Sequence, residues 1–249
     1  MTELSVQVAD IGSDQPDLDP STDRYAARFQ GKAGAWLLSQ QTDALMKLIG
    51  DAPPARVLDV GGGHGQVVRP LLEVGHEVTV LATSDAALGR VGEMQSDRLI
   101  TKVGPILPLP FADRSFDFVT SFRIMAHIGD WSALLAEMTR VADSAVIFDF
   151  PIPGGANALE PLLFGVKKRL EGDTRRFETM RRSDVSACLT SNGFAPTRHI
   201  GQFVLPMVVH RKLKQPAISG VVERAFRAVG LSSAIGTPIV MRADRRVER

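Results

Sequence analysis

The sequence predicts an α/β fold, with a doubly wound, mostly parallel sheet of seven strands and a helical cap. Short apolar runs with the character of strands alternate with amphipathic helical segments, and a glycine-rich turn follows the first run. The 249 residues, of which 44% are hydrophobic and 23% charged, suit a single domain of this type. Ligands of open α/β sheets bind at the carboxyl ends of the strands, so we expect the functional site there.

The predicted strands are short runs of buried character, with helices before and between them. The strands are residues 56–60, 77–82, 99–103, 116–121, 145–150, 194–200 and 237–242. The helices begin with one from Ser21 or Thr22 to about Gly31, followed by residues 33–49, 67–75, 85–94, 131–142, 184–192, 204–213 and 217–229. Ser84, Asp130 and Ser183 are the predicted N-caps, because a side-chain oxygen at that position accepts a free N–H of the first turn.

The first predicted strand carries Asp59 and runs into a turn with glycine at every second position, Gly61, Gly63 and Gly65. Glycine permits positive φ and close approach of a ligand to the backbone. A dinucleotide fingerprint needs G-x-G-x-x-G, whereas here Gln66 takes the last place. The spacing therefore favours a nucleoside ligand without a pyrophosphate over a nicotinamide cofactor. A purely structural turn in another α/β fold is the alternative.

A second informative stretch combines Leu109-Pro110-Phe111 with Ser115-Phe116-Asp117. Together with the glycine turn, it resembles the class I S-adenosylmethionine (SAM) methyltransferases, and within them the type 11 family around the quinone-biosynthesis methyltransferases. The resemblance extends from about Tyr25 to Val240. It implies SAM as the cofactor, methyl transfer to an oxygen, nitrogen or carbon of a small molecule, and an antiparallel strand pair at the sheet edge.

The resemblance and the strand ends together indicate a set of cofactor-binding residues. In the resembled family the methionine end of SAM lies over the glycines, and His64 is expected to contact it. The predicted set comprises Asp59, Gly61, Gly62, Gly63, His64, Gly65, Ala82, Thr83, Ser84, Ile106, Leu107 and Phe122.

Two positions depart from the family pattern. Ala82 stands where an acidic residue normally accepts both ribose hydroxyls, and Pro105 stands where a second acid normally receives the adenine amino group. Ser84 or Asp85 is the expected substitute at the ribose, and the backbone of residues 106–107 is expected to serve the adenine. These departures keep open an alternative, a non-catalytic binding or regulatory protein with a methyltransferase fold.

His127 is the candidate general base, because it follows the fourth predicted strand where the resembled family often has a histidine. A capping or packing histidine is the alternative. Arg123 is expected in the same crevice, and Asp149 either faces the acceptor or hydrogen-bonds the turn at residues 151–155. No set of His, Cys and acidic residues has metal-ligand spacing, so no metal is expected.

The chain is predicted to form a flexible acidic arm at 1–23 and one domain at 24–249. Within this domain, 24–50 forms lid helices, while 156–182 and 203–236 are cap insertions. Tyr25, Arg28, Phe29 and Trp36 are either lid residues or ordinary packing. From 167 to 182 there are seven basic and three acidic residues, which form a cationic pocket wall, a surface for a membrane or anionic partner, or a solvated helix face.

Composition restricts partners and location. The net charge of +1 gives no reason to expect nucleic acid, and no apolar run is long enough to span a bilayer. Cys188 is the single cysteine, so no internal disulfide forms, and we expect a buried, inert thiol in a helix. These features, with no signal pattern among the first residues, predict a soluble cytoplasmic protein that acts on a small molecule.

Overall fold

The computed structural model of the chain describes residues 16–17, 29–62, 65–154 and 178–246. The strands in these ranges are β1 (Arg56–Val60), β2 (Glu77–Ala82), β3 (Leu99–Val103), β4 (Phe116–Ser121), β5 (Ala142–Phe150), β6 (Phe194–Phe203) and β7 (Thr237–Arg245). The α-helices are α1 (Gly31–Ile49), α2 (Val68–Glu73), α3 (Asp85–Leu88), α4 (Trp131–Val141), α5 (Arg182–Ser191), α6 (Met207–Leu213), α7 (Pro216–Ala228) and α8 (Leu231–Ile235).

The seven strands form one sheet in the order β3-β2-β1-β4-β5-β7-β6. Strands β1 to β5 pair in parallel, and β7 runs antiparallel to both β5 and β6. The predicted fold class is therefore confirmed, including the antiparallel pair at one edge. Because the strand order reverses beside β1, its carboxyl end opens into the crevice where ligands of doubly wound sheets bind.

Each face of the sheet carries its own hydrophobic layer, as the alternation of side chains along a strand requires. Val57 of β1 packs with Leu45 of α1 and Leu71 of α2 on one face. The next residue, Leu58, belongs to the opposite layer, with Leu134 of α4 and Leu189 of α5. All six side chains are fully buried, so the helices on both faces hold β1 rigidly at the centre of the sheet.

The predicted N-caps are confirmed at two helices and wrong at the third. Ser84 accepts the N–H of Ala87 through its side chain, and Asp130 accepts the N–H of Ala133. At α5, however, Arg181 occupies the N-cap without a side-chain hydrogen bond, and Ser183 lies inside the first turn. The Ser183 hydroxyl instead donates to the neighbouring carboxylate of Asp184 at 2.9 Å.

Several predicted boundaries differ from those observed. Helix α3 ends at Leu88 instead of residue 94, because turns replace the helix over 89–93. Strand β5 begins three residues earlier than predicted. Strands β6 and β7 each end three residues later than predicted, because their antiparallel pairing with each other continues to those residues. The short helix α8 was not predicted. The division into arm, lid and cap stays a prediction.

The predicted N-terminal elements fall only partly within the described ranges. Of the acidic arm, only Pro16 and Asp17 are described. Tyr25, Arg28, most of the predicted helix before Gly31 and the 156–177 part of the predicted cap lie outside the described residues. The guanidinium of Arg123 lies over the ring of Phe29, with 5.5 Å between the guanidinium carbon and the ring centroid. Trp36 packs against Phe203, with 5.7 Å between the ring centroids, so it contributes to packing.

Cys188 lies in α5 as predicted, and its thiol is half-buried. Burial raises the pKa of this thiol, which keeps it protonated and poorly reactive. Within the portions of the chain that the structure describes, no helix is long and apolar enough to cross a membrane.

Candidate functional site

The glycine turn connects β1 to α2 at the carboxyl edge of the sheet. Gly61 and Gly65 have φ of 73° and 67°, a backbone conformation that glycine adopts without strain. A Cβ on Gly62 would overlap the carboxylate of Asp59. Gly63 and His64, two residues of the predicted set, lie outside the described residues. The sequence therefore uses glycine where the backbone must turn sharply against a buried carboxylate.

Asp59 is the buried carboxylate beneath this turn. One oxygen, Oδ1, accepts the hydroxyl of Thr120 at 2.9 Å, whereas Oδ2 is buried without a hydrogen-bond partner. Burial raises the pKa of Asp59 to about 7, and the Thr120 hydroxyl and the charge of Arg123 partly oppose this rise. A buried, unpartnered carboxylate oxygen is costly for the fold, and a ligand that brings a hydrogen-bond donor would satisfy it.

A small crevice opens beside the turn. The residues that line it come from the end of β1, the glycine turn up to the start of α2, and the loop directly after β4. They are Asp59, Gly61, Gly62, Gln66, Val67, Phe122 and Arg123. Four predicted cofactor residues, Asp59, Gly61, Gly62 and Phe122, thus lie together, as does the predicted crevice residue Arg123.

Arg123 follows β4 with φ of 64°, which is unusual for a residue with a side chain. Its backbone N–H donates to Asp149 Oδ1 at 2.6 Å, and Gln41 of α1 donates to Asp149 Oδ2 at 2.7 Å. Burial raises the pKa of Asp149 to about 6, and the N–H of Arg123 is the largest opposing influence. Asp149 therefore joins the β4 loop to α1, while its predicted contact with the 151–155 turn or with the acceptor stays a prediction.

The end of β2 carries an unexpected carboxylate. Ala82 is buried, and the N–H of the next residue, Thr83, donates to Asp17 Oδ2 at 2.8 Å. The Thr83 hydroxyl donates to the other oxygen, Oδ1. The Cβ of Asp17 lies 3.5 Å from the position that a Cβ on Gly61 would take. Asp17 is fully buried between the glycine turn and β2, beside the alanine that replaces the family acid.

The two residues predicted to substitute for that acid are engaged or directed elsewhere. The hydroxyl of Ser84 accepts the N–H of Ala87 as the cap of α3, at 3.3 Å. Asp85 is exposed in the first turn of α3, and it does not line the crevice. Sequence reasoning missed Asp17 because it treated residues 1–23 as one flexible arm.

The loop after β3 approaches the same strand end. The N–H of Gly104 donates to the carbonyl of Ala82 at 3.0 Å, which joins this loop to β2. Ile106 is buried and Leu107 half-buried in the layer that contains Leu81. Neither residue lines the crevice, so the structure does not bring them together with the glycine turn.

The Leu-Pro-Phe stretch owes its conformation to α4. Glu137 accepts the N–H of Leu109 at 2.8 Å, and Arg140 donates to the carbonyls of Leu109 and Phe111 at 3.1 and 2.9 Å. Arg140 also pairs with Glu137 at 2.7 Å. The second motif of the resemblance therefore has a structural role, because it fixes the loop between β3 and β4 on α4.

His127 ends a single 3-10 turn, Met125–His127, in the loop after β4. Its backbone N–H donates to the carbonyl of Ile124 at 2.8 Å, and its side chain is half-buried. It does not line the crevice, although it shares the carboxyl edge of the sheet with Arg123. Across the described ranges, no group of three His, Cys, Asp or Glu residues is arranged to hold a metal ion.

Comparison with known proteins supports the family resemblance. Residues 58–148 match a family model described as a methyltransferase domain. A demethylmenaquinone methyltransferase of Renibacterium salmoninarum is 35% identical over 136 residues, which cover 50% of this chain and 56% of that protein. A malonyl-[acyl-carrier protein] O-methyltransferase of Pseudescherichia vulneris is 30% identical over 166 residues, or 65% of either chain.

The chain spans about half the length of the first curated relatives that it matches. Among solved structures, the magnesium protoporphyrin IX methyltransferase of Synechocystis with bound S-adenosylhomocysteine (SAH) superposes with a TM-score of 0.65. It is 16% identical, and the match covers 90% of this chain and 94% of that one. The likeness at this identity shows the shared fold, and the sequence match over 58–148 confirms the predicted family for that part of the chain.

Proposed function

We propose that this chain, whose residues 58–148 form a domain of the methyltransferase family, transfers a methyl group from SAM to a small-molecule oxygen, nitrogen or carbon. One observation carries the proposal. The glycine turn, with two glycines at positive φ, borders a crevice in which Asp59 Oδ2 is buried without a partner. A ligand with an amino group beside an apolar body fits this arrangement.

The crevice residues fit the amino acid end of SAM. Asp59 Oδ2 is an acceptor for its ammonium group, and the glycine turn lets that group approach the backbone. Arg123 lines the same crevice and carries the charge that complements a carboxylate. SAM supplies a methyl group already activated on a sulfonium, so the protein has chiefly to position the reactants and exclude water.

Asp17 is our candidate for the ribose. It brings a carboxylate to the N–H of Thr83, directly after Ala82, where the family pattern has an acid. A carboxylate oxygen is a strong acceptor for hydroxyl groups, so we assign the ribose hydroxyls to Asp17. In this assignment Asp17, which lies 65 positions before Ala82 in the sequence, supplies the carboxylate that Ala82 lacks.

The remaining predicted residues keep supporting roles in the proposal. The backbone of residues 106–107 serves the adenine, since Gly104 holds this loop against the end of β2 at 3.0 Å. Thr83 orients Asp17, and Ser84 maintains the start of α3. His127 is the candidate base for acceptors that must lose a proton, because it lies at the edge of the sheet that bears the crevice.

The near-neutral charge of +1 supports a small-molecule acceptor over a nucleic acid, and we propose the cytoplasm as the location. The alternative from the sequence, a non-catalytic protein with the same fold, rests on Ala82 and Pro105. The carboxylate of Asp17 weakens the first of these two arguments, because it restores an acid at the end of β2.

Isothermal titration of the full chain with SAM and with SAH tests the proposal. We expect micromolar dissociation constants for both, and at least about tenfold weaker binding by Asp59→Asn, which removes the charged acceptor. Asp85→Asn, a change in an exposed acid outside the crevice, is the matched control and should bind as the natural chain does. Absence of binding to folded protein would overturn the enzyme assignment in favour of the non-catalytic alternative.

A further inference from the structure

Helix α7 is oriented with its polar side inward. Its buried positions are Ser219, Gly220 and Glu223, and the side chains of Ser219 and Glu223 are each 1% exposed. By contrast, Ile218 and Val221 are 49% and 57% exposed. A helix at the surface of a globular protein normally buries its apolar stripe, so this orientation leaves an apolar face without a partner among the described residues.

The exposed apolar side chains continue onto the helices on either side. Of the eleven large hydrophobic residues that are exposed in the described ranges, eight belong to residues 207–235. They are Met207, Val209, Leu213, Ile218, Val221, Val229, Leu231 and Ile235. We call the exposed surface of α6, α7 and α8 the cap face. Exposed apolar residues concentrated in this way mark an interaction surface.

The charge of the cap face has one sign. Lys212, Lys214, Arg224 and Arg227 are all exposed. The single acid between residues 204 and 236 is Glu223, and it is buried. The cap face therefore combines aliphatic side chains with exposed cations, and it presents no carboxylate to solvent.

Internal contacts hold α7 in this orientation. Glu223 accepts the N–H groups of Val204 and Leu205 at 3.1 Å each, and it lies 3.0 Å from His210 Nε2. The ring of His210 packs at 5.2 Å from that of Trp36 in α1. A buried carboxylate with three donors fixes the polar side of the helix inward, so the outward apolar face is a built feature of the fold.

We propose that the cap face docks on the surface of an anionic phospholipid bilayer. Helices that lie in a membrane interface pair an apolar face with flanking Lys and Arg, and the cations gain from anionic headgroups. A second copy of this chain fits less well, because a symmetric contact would bring the same cations together.

This inference does not depend on the proposed function, since it rests on residues outside the crevice. Sedimentation of the full chain with vesicles tests it, using phosphatidylcholine alone and phosphatidylcholine with about 30% phosphatidylglycerol. We expect binding to the anionic vesicles at low salt, at least about tenfold weaker binding to the neutral ones, and a loss of affinity as salt rises.

Ile218→Asp places a carboxylate in the centre of the cap face and should weaken binding to anionic vesicles at least about tenfold. Val74→Asp is the matched control, because Val74 is also 49% exposed but lies at the end of α2. Circular dichroism and thermal unfolding of both variants verify that they fold.

Three results would overturn the proposal: no binding of the natural chain to anionic vesicles, equal binding to both vesicle types, or an equal loss in Val74→Asp. Light scattering adds a fourth. A stable dimer that Ile218→Asp converts to monomer would assign the cap face to self-association.

Discussion

The N–H of Thr83 donates to a carboxylate oxygen of Asp17 at 2.8 Å, which joins the end of β2 to a residue 66 positions earlier in the chain. The hydroxyl of Thr83 holds the other oxygen of the same carboxylate. Asp17 is completely buried by this contact. Two donors fix the orientation of this buried carboxylate, as binding of hydroxyl groups requires.

We predict that Asp17→Ala weakens SAM binding by about tenfold to a hundredfold, since one charge-assisted hydrogen bond contributes about 1.5–3 kcal/mol. Adding Ala82→Asp to this variant should recover part of the lost affinity, because it returns an acid to the same strand end. Titration calorimetry measures both. Tighter binding by Asp17→Ala would instead mean that Asp17 blocks the crevice.

The second prediction concerns stability and pH. The pKa of Asp59 rises from 3.8 to about 7 on folding, so folded Asp59 keeps a proton that the unfolded chain releases. Its contribution to stability is complete below pH 4 and is lost as pH rises through 7. The free energy of unfolding should therefore fall with rising pH by up to about 1.4 kcal/mol per unit in this window.

Urea denaturation between pH 4 and 8 measures this dependence. Asp59→Asn should flatten it above pH 6, while Asp149, with a pKa of about 6, still contributes below that value. Asp117 is a control with the opposite sign, since Arg56 holds its pKa below the usual range and its contribution disappears on acidification. If the unfolding free energy of Asp59→Asn falls above pH 6 as steeply as that of the natural chain, Asp59 is not the group that carries the proton.

A third prediction links proton release to ligand binding. An ammonium group placed at Asp59 Oδ2 would lower the pKa of that carboxyl from about 7, so binding at pH 7 should release up to half a proton. Calorimetry in two buffers of different ionisation enthalpy, such as Tris and phosphate, measures the release. Asp59→Asn should abolish it, and Asp85→Asn should leave it unchanged.

The fourth prediction concerns the joint between α1 and the β4 loop. Asp149→Ala removes the acceptor of two buried donors, Gln41 Nε2 and the N–H of Arg123, and should cost about 3 kcal/mol of unfolding free energy. Asp149→Asn keeps one acceptor oxygen and should cost about 1 kcal/mol. Urea denaturation at pH 7.5 compares the two. Equal stability of Asp149→Ala and the natural chain would exclude this structural role.

The sheet could be predicted from the sequence because its signals are local. Four of the strands begin and end as the apolar runs indicated, and the caps Ser84 and Asp130 follow from residues three positions apart. Ser183 failed as a cap because its hydroxyl bonds to its neighbour Asp184, a competition that side-chain type alone does not reveal.

The site was harder to predict where it depends on contacts between distant parts of the chain. Asp59 and the glycines were identified because strand, turn and helix are contiguous. Asp17 reaches Thr83, and Gln41 reaches Asp149 across 108 positions, without any periodicity or spacing that would indicate either contact. The inward polar side of α7 was missed for the same reason, since its orientation depends on His210 and on backbone groups before α6.

The cap enters and leaves the sheet at a single point, since Phe203 of β6 and Thr237 of β7 are direct partners in the ladder. A short turn would therefore be enough to connect these two strands. Connecting them through the longer cap adds little to the entropic cost of closing the loop. The cap is thus an insertion in the β6–β7 hairpin. The cap can therefore vary in length and sequence while β6, β7 and the glycine turn keep their places in the sheet.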